Sequence, residues 1–353
     1  MILEKLSSAV GVSGNEDAVR EVILKLIKGH VDDVTLDSMG NVITYKAAHT
    51  TRGQSSTQAG LRIMLAAHMD EVGLMVTGYT SDGGIKFRYI GGMDDRLMPG
   101  LRVQIGKDRT PGVIGLKAIH NTKHNEREKA VPVESLVIDV GASSKSEAET
   151  LAPLGTYGTF LAEYRRLGNL LSGKAFDDRV GCAVLVELLQ QKAYPVDVFG
   201  VFTVQEEVGL RGAGIAAYRV NPTHAFVLEG TIADDLPKKK DESPTTQLGK
   251  GPALSVLDRS VIADRRLVDH LIATADKHDI PYQFKQPGIG GTDAGAIHLV
   301  REGVPTAPIS VPCRYIHGPV AVLDPRDYRN TVRLTELALR ELHQMEALES
   351  ASG

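Results

Sequence analysis

Apolar and polar residues follow different periods in different parts of this chain. Nearly continuous apolar runs at 62–67, 196–204 and 306–311 are typical of strands that are buried on both faces of a sheet. The stretch 264–278 instead repeats apolar residues at helical spacing, which predicts an amphipathic helix. Alternation of such segments predicts an α/β fold, with a mostly parallel or mixed sheet covered by helices on both faces.

The stretch 71–163 has a different pattern. Short alternating runs broken by glycine, such as 74–79 and 85–90, are typical of β-strands, and helical periodicity is scarce there. We therefore predict a β-rich insertion over residues 71–163. Residues 1–70 and 164–353 are then the two parts of one α/β domain.

Composition narrows the class of protein. The 353 residues are 42% hydrophobic, enough for a substantial core, and a formal net charge of −4 gives no reason to expect a nucleic-acid or membrane partner. We find no signal peptide and no long apolar run. Two distant cysteines, Cys182 and Cys313, are typical of a reduced, cytoplasmic protein. The polar stretches 48–59 and 234–250, the second with lysines at 238–240, are expected to be exposed loops.

Side chains that can bind metal follow the predicted strands. Ligands of open α/β sheets bind beyond the carboxyl ends of the strands, so these side chains should converge. Each alone has a plain structural explanation, but histidines and carboxylates that converge are typical of a divalent-metal site. In chain order they are His68, Asp70, Glu206, Glu207, Glu229 and His317.

The pair Asp177-Asp178 begins a further apolar helix. Helix capping explains an isolated pair of this kind, because helix N-termini favour negative charge. Near the other ligands, the pair also supplies a carboxylate that can bridge two cations about 3.5–4 Å apart. Of Glu206 and Glu207, one can then bind metal while the other acts as general base on water.

Five motifs in this order resemble the M42 metallo-aminopeptidases, the glutamyl and tetrahedral (TET) aminopeptidases. The resemblance runs from the first predicted helix to the last. It implies a zinc-peptidase-like three-layer α/β/α catalytic domain, an inserted PDZ-like domain used in dimer contacts, and a hollow dodecamer. The motifs are His68-Met69-Asp70-Glu71, Gly173-Lys174-Ala175-Phe176-Asp177-Asp178-Arg179, Glu206-Glu207-Val208-Gly209, Gly290-Gly291-Thr292-Asp293-Ala294-Gly295 and Tyr315-Ile316-His317.

The resemblance also implies two divalent metal ions per subunit. Asp177 looks like the bridging ligand and is expected to precede a cis peptide bond. His68 and Glu229 look like ligands of one ion, and Glu207 and His317 like ligands of the other. Zinc or cobalt is expected, and manganese tolerates a similar ligand set.

The remaining implied roles concern water and substrate. Glu206 looks like the general base on a water that bridges the metal ions, and Asp70 like the residue that orients His68. The turn Gly290-Gly291-Thr292 is a candidate substrate contact, although a tight start of a helix explains its glycines equally well.

The function expected from these residues is hydrolysis of N-terminal residues from short peptides. One alternative is an endoglucanase-like glycosidase that uses Glu206 and Glu207 as its two carboxylates. Others are a non-catalytic assembly protein on the same fold and a dinuclear deacylase or carboxypeptidase. The preferred N-terminal residue stays open, because Arg179, Arg211 and Arg314 can favour acidic substrates or be structural.

Overall fold

The structure is a computed structural model of the chain. The described residues are 1–49, 60–124, 127–236 and 243–352. Side chains of the last helix are described as far as residue 342. Most of the predicted loop 48–59 and the lysine run 238–240 lie outside the described residues.

Helices and strands alternate over much of the chain. The described helices are α1 Ile2–Ser8, α2 Asp17–Ile27, α3 Lys145–Leu151, α4 Phe176–Gln190, α5 Arg211–Val220, α6 Arg265–Lys277, α7 Ala294–Ile297 and α8 Pro325–Ser352. The described strands are β1 Asp33–Leu36, β2 Val42–Lys46, β3 Arg62–His68, β4 Gly73–Tyr79, β5 Ile85–Ile90, β6 Arg102–Ile105, β7 Thr110–Gly115, β8 Val137–Asp139, β9 Tyr157–Phe160, β10 Arg165–Leu167, β11 Leu170–Gly173, β12 Asp197–Thr203, β13 His224–Ile232, β14 Ala253–Leu254, β15 Gln283–Phe284, β16 Thr306–Arg314 and β17 Ala321–Leu323.

One mixed sheet organises the α/β part. Its strand order is β1-β2-β12-β3-β13-β16-β17-β11-β10, and β14 and β15 pair beside β16. The four central strands β12, β3, β13 and β16 are parallel, and antiparallel strands flank them. The carboxyl ends of the parallel strands therefore share one edge, as the sequence predicted.

Helices cover both faces of this sheet. Side chains of a strand point alternately to opposite faces. Along β3, Ile63, Leu65 and Ala67 belong to the core cluster that includes residues of α1, α2, α4, α6 and α8. The intervening Met64 and Ala66 belong to a second cluster, with residues of α5 and α7. This arrangement confirms the predicted α/β class.

The region 71–163 contains a closed antiparallel barrel. Its strands follow the order β4-β5-β8-β7-β6-β9, and its buried residues form a core cluster of their own. The helix α3 is the one α-helix described in this region. The described residues of 71–163 therefore consist mostly of strands and loops around this core.

No helix among the described residues combines the length and the apolar character needed to cross a membrane.

A buried ion cluster links the segment after β3 to the start of α4. Glu71 accepts hydrogen bonds from Lys174 Nζ at 2.6 and 2.7 Å and from Arg179 Nη2 at 3.2 Å. Burial opposes ionisation of Glu71, but the charges of Lys174 and Arg179 outweigh it and lower its pKa. The fully buried Arg179 also donates to the backbone carbonyls of Leu6, Ala9, Gly11 and Met69.

Glu71→Gln should destabilise the fold by about 3–5 kcal/mol, because it leaves two buried cations without their counter-charge. The free energy of unfolding in urea measures this loss. Glu163→Gln is the matched control, since Glu163 pairs with Arg165 at an exposed position and should change stability by less than about 1 kcal/mol. Equal stability of the two variants would contradict a structural role for the cluster.

Candidate metal centre

The predicted ligands meet at the carboxyl edge of the parallel strands. His68 is the last residue of β3, and Glu206 and Glu207 follow β12 by three and four residues. His317 follows β16. Glu229 differs from the prediction, because it lies within β13 rather than at its end. Glu229 still lies at this edge, because the pairing of β13 with β3 ends at Val227 and the remainder of β13 extends past it.

Asp177 lies between the two histidines. Its Oδ1 is 3.2 Å from His68 Nε2, and its Oδ2 is 3.3 Å from His317 Nε2. Each carboxylate oxygen therefore faces a different imidazole. A carboxylate in this position can serve two neighbouring cation sites.

The other carboxylates lie around the two histidines. Ligand atoms of Asp177, Glu207 and His317 lie within 4.8 Å of one another, as do those of His68, Asp178 and Glu229. Glu229 Oε2 is 3.7 Å from His68 Nε2, and Glu207 Oε2 is 3.5 Å from His317 Nε2. Ligand atoms around a tetrahedral ion with bonds of 2.0–2.1 Å are separated by about 3.3 Å, so these spacings suit a metal ion. Glu206 Oε2 lies 3.9 Å from His68 Nε2. Glu206 therefore stands beside the same histidine without the closer contact of Asp177.

Asp177 and its neighbour Asp178 have different surroundings. Asp178 is fully buried, and its oxygens accept hydrogen bonds from the N–H groups of His68 at 3.1 Å and Gly181 at 3.0 Å. Asp177 and Asp178 have non-helical backbone angles near the start of α4. The contact of Asp178 with Gly181, three residues on, therefore caps the regular part of this helix, while Asp177 faces the histidines. The peptide bond between the two residues is cis, as the resemblance implied.

Asp70 does more than the sequence indicated. Its Oδ1 lies 3.4 Å from His68 Nδ1, which suits the predicted orienting role. It also accepts hydrogen bonds from the backbone N–H groups of Glu206 at 3.0 Å and Glu207 at 3.1 Å. The Ser13 hydroxyl donates to it at 2.6 Å. Asp70 therefore holds the segment that carries both glutamates, a role that strand periodicity cannot reveal.

The charges of the site require compensation. Burial and neighbouring carboxylates raise the pKa of Glu206 and Glu229 well above the usual range and that of Glu207 to about 7. Burial opposes protonation of His317, yet Asp177 and Glu207 raise its pKa to about 10. Among the described residues, the buried Oε1 of Glu229 has no hydrogen-bond partner. Crowded carboxylates and an unpaired oxygen fit divalent cations, so the residues suit a metal centre.

An open cleft of about 810 Å³ leads from these ligands to solvent. The predicted turn Gly290-Gly291-Thr292 lines it. The three arginines do not: Arg179 belongs to the buried cluster, Arg314 pairs with Asp235, and Arg211 is exposed. Among the described residues that line the cleft, Lys285 is the one lysine or arginine, and no sequence motif points to it.

Fold and site together define an α/β protein with a candidate metal centre at the carboxyl edge of its parallel strands. The chain belongs to the M42 glutamyl aminopeptidase family, whose model matches residues 47–334. It is therefore an enzyme, a hydrolase of the aminopeptidase class, and members of this family depend on metal.

Solved structures agree with this assignment. The aminopeptidase APDkam598 from the archaeon Desulfurococcus kamchatkensis is 39% identical, with a TM-score of 0.90 over 96% of this chain and 94% of that chain. The TET1 peptidase of Pyrococcus horikoshii, which can assemble into a tetrahedron or a large octahedral shell, is 33% identical, with a TM-score of 0.83 over 96% and 98% of the two chains. Both similarities support the assignment of this chain to the M42 family.

A third similar structure has a different name. It is an endoglucanase from Thermotoga maritima, 34% identical, with a TM-score of 0.79 over 98% of each chain. The family match favours the peptidase over the glycosidase alternative. The name makes cellulose a useful control substrate.

Proposed function

We propose that this protein is a dinuclear metal-dependent aminopeptidase that removes N-terminal residues from short peptides. The observation that carries the proposal is the position of Asp177, with one oxygen toward His68 and the other toward His317. A single carboxylate between two imidazole groups can bridge a pair of metal ions.

His68, Asp177 and Glu229 would hold one ion, and Asp177, Glu207 and His317 the other. When bound, two divalent cations act as Lewis acids that polarise a carbonyl group and lower the pKa of water. Nitrogen and oxygen ligands suit zinc, cobalt or manganese. Asp70 would keep His68 and the two glutamates in place through the contacts described above.

Glu206 would act as the general base. Its carboxylate takes a proton from the water that attacks the first carbonyl of the peptide, and returns that proton to the leaving amine. Burial and the neighbouring carboxylates raise its pKa, which makes the carboxylate a stronger base toward that water.

We also propose that residues 71–163 form an inserted, PDZ-like domain used in dimer contacts, and that dimers build a dodecamer in the cytoplasm. The separate core of the barrel supports the division. The shells formed by the TET1 peptidase support a large assembly. The two cysteines are buried and free, which suits a reducing compartment.

Metal removal and amino-terminal blocking test the function. We expect a chelator to abolish hydrolysis of aminoacyl-anilides, and added zinc, cobalt or manganese to restore it. N-acetylated analogues should not be cleaved, because the free amino group is part of the recognised substrate. Absorbance of the released aniline measures the rate.

Three results would contradict the proposal. They are full activity in protein shown by elemental analysis to be metal-free, equal rates with free and acetylated substrates, and hydrolysis of cellulose without peptidase activity.

A further inference from the structure

A short loop carries both glutamates of the proposed site. This glutamate loop, residues 204–210, joins β12 to α5, and within it the N–H groups of Gly209 and Leu210 donate to the carbonyl of Glu206 at 2.9 Å. Gln205 and Leu210 have φ angles of 57° and 56°, a left-handed conformation that residues other than glycine rarely adopt. Such a backbone persists only where its surroundings hold it. The position of the Glu206 carboxylate therefore depends on what anchors this loop.

Asn41 closes the glutamate loop at its base. The fully buried side chain of Asn41 accepts a hydrogen bond from the N–H of Val204 at 2.9 Å and donates one to the carbonyl of Gly212 at 3.1 Å. The N–H of Gly212 in turn donates to the carbonyl of Val204 at 3.1 Å. One amide therefore ties the first residue of the loop to the first turn of α5.

The amide of Asn41 is itself held in place. Its nitrogen also donates to one oxygen of Asp37 at 2.6 Å, and the other oxygen of Asp37 accepts from the backbone N–H groups of residues 39–41. Both N–H bonds of the amide and its oxygen are thus used. A Cβ atom at Gly212 would lie 2.4 Å from Asn41 Oδ1 and 2.6 Å from the carbonyl oxygen of Val204. The close approach of the three segments therefore depends on both the amide and the glycine.

A second anchor holds the middle of the glutamate loop. Asp70 accepts hydrogen bonds from the N–H groups of Glu206 and Glu207, and the buried Glu16 accepts one from the N–H of Gln205 at 3.3 Å. These contacts alone would leave the base of the loop free to shift. With Asn41 the loop is fixed at two points, which resists a rotation that one anchor allows.

We propose that Asn41 is a positioning residue for the reaction: by closing the base of the glutamate loop, it sets the position of the Glu206 carboxylate relative to the attacking water. This inference rests on the aminopeptidase function proposed above, with Glu206 as the base. Asn41 does not line the cleft, so it acts through the loop alone. The effect can be large, because misplacement of a catalytic group by about 1 Å can lower a rate about 10²-fold.

Two substitutions disturb this junction from opposite sides. Asn41→Ala removes both hydrogen bonds, whereas Gly212→Ala keeps the amide and adds a methyl group against it. In the zinc-loaded, full-length enzyme, each should lower kcat for an aminoacyl-anilide by about tenfold or more and change KM by less than about threefold. A displaced base is missed in the transition state rather than in substrate binding. Amide hydrogen exchange of the peptide 204–212 should become faster in both variants.

A double variant separates positioning from a general loss of structure. If Asn41 acts through the Glu206 carboxylate, Asn41→Ala should change the residual kcat of Glu206→Gln by less than about twofold. A further tenfold loss in that background would overturn the inference. Wild-type kcat in both single variants, or unchanged hydrogen exchange of the peptide 204–212, would overturn it as well.

Thr44→Val is the matched control. Thr44 is fully buried on β2, next to the same turn, and its hydroxyl donates to the carbonyl of Gly200 in β12 at 2.9 Å. The variant loses a buried hydrogen bond between the same two segments but none to the glutamate loop, so its kcat and hydrogen exchange at 204–212 should match the wild type. Equal losses of kcat in Thr44→Val and Asn41→Ala would contradict the inference. Full activity of Glu206→Gln by itself, or no cleavage by the zinc-loaded wild type, would instead overturn the proposed function.

Discussion

Glu206→Gln is expected to lower kcat by about 10²–10⁴-fold, the usual contribution of a general base. The amide has nearly the same shape as the carboxylate but cannot take a proton from water. The other ligand side chains are unchanged, so metal content should stay at the wild-type level. Steady-state kinetics with an aminoacyl-anilide, together with elemental analysis, measures both quantities.

The pH profile adds a second readout for Glu206. The base must be ionised, so wild-type kcat should fall as the pH is lowered and Glu206 is protonated. Burial raises the pKa of this carboxyl and moves the loss to a higher pH than for an exposed glutamate, while bound cations act in the opposite direction. The residual rate of Glu206→Gln should lack this limb of the profile.

Glu302→Gln is the matched control, since Glu302 is exposed and outside the cleft. It should retain wild-type activity and pH dependence. If Glu206→Gln kept its metal and remained as active as this control, Glu206 would not be the base.

Asp177→Asn is expected to abolish activity by a different route, loss of metal. The variant keeps the size of the side chain but loses the negative charge between His68 and His317. An amide has only one oxygen atom, so it cannot supply an oxygen ligand to each of the two ions. Titration calorimetry of the metal-free protein with zinc should show loss of at least one binding event, and kcat should fall to background.

The free energy of unfolding separates this effect from misfolding. Metal-free Asp177→Asn should still unfold cooperatively but be less stable than the metal-free wild type. Burial opposes ionisation of Asp177, yet His317 and His68 outweigh it and lower its pKa, and the amide loses this attraction. Asp276→Asn, at an exposed position of α6, should bind metal as the wild type does. Wild-type zinc stoichiometry in Asp177→Asn would exclude Asp177 as the bridge.

Much of the fold could be predicted from the sequence. The apolar runs at 62–67 and 306–311 correspond to β3 and β16, and the helical period at 264–278 corresponds to α6. These elements can be predicted locally, because the spacing of apolar residues within one segment shows which of its side chains are buried. The bounds of β13 were less predictable, since Glu229 interrupts an apolar run but not the strand.

The candidate site could be predicted in its residues but not in all of its contacts. The order of motifs identified His68, Asp177 and His317, which the structure places together. The contacts of Asp70 with the backbone of Glu206 and Glu207 join segments far apart in the chain. The spacing of apolar residues along the chain does not predict contacts between distant segments.

The sequence by itself determined the α/β class, the membership of the M42 family and the identity of the side chains able to bind metal, because burial period and residue type are local properties. Only the tertiary structure decided that Asp177 faces the histidines while Asp178 caps a helix, and that Lys285 enters the cleft while Arg179 and Arg314 are paired elsewhere. The reason is physical. Whether a charged side chain faces the cleft or is paired elsewhere depends on partners that the folded chain brings together from distant positions.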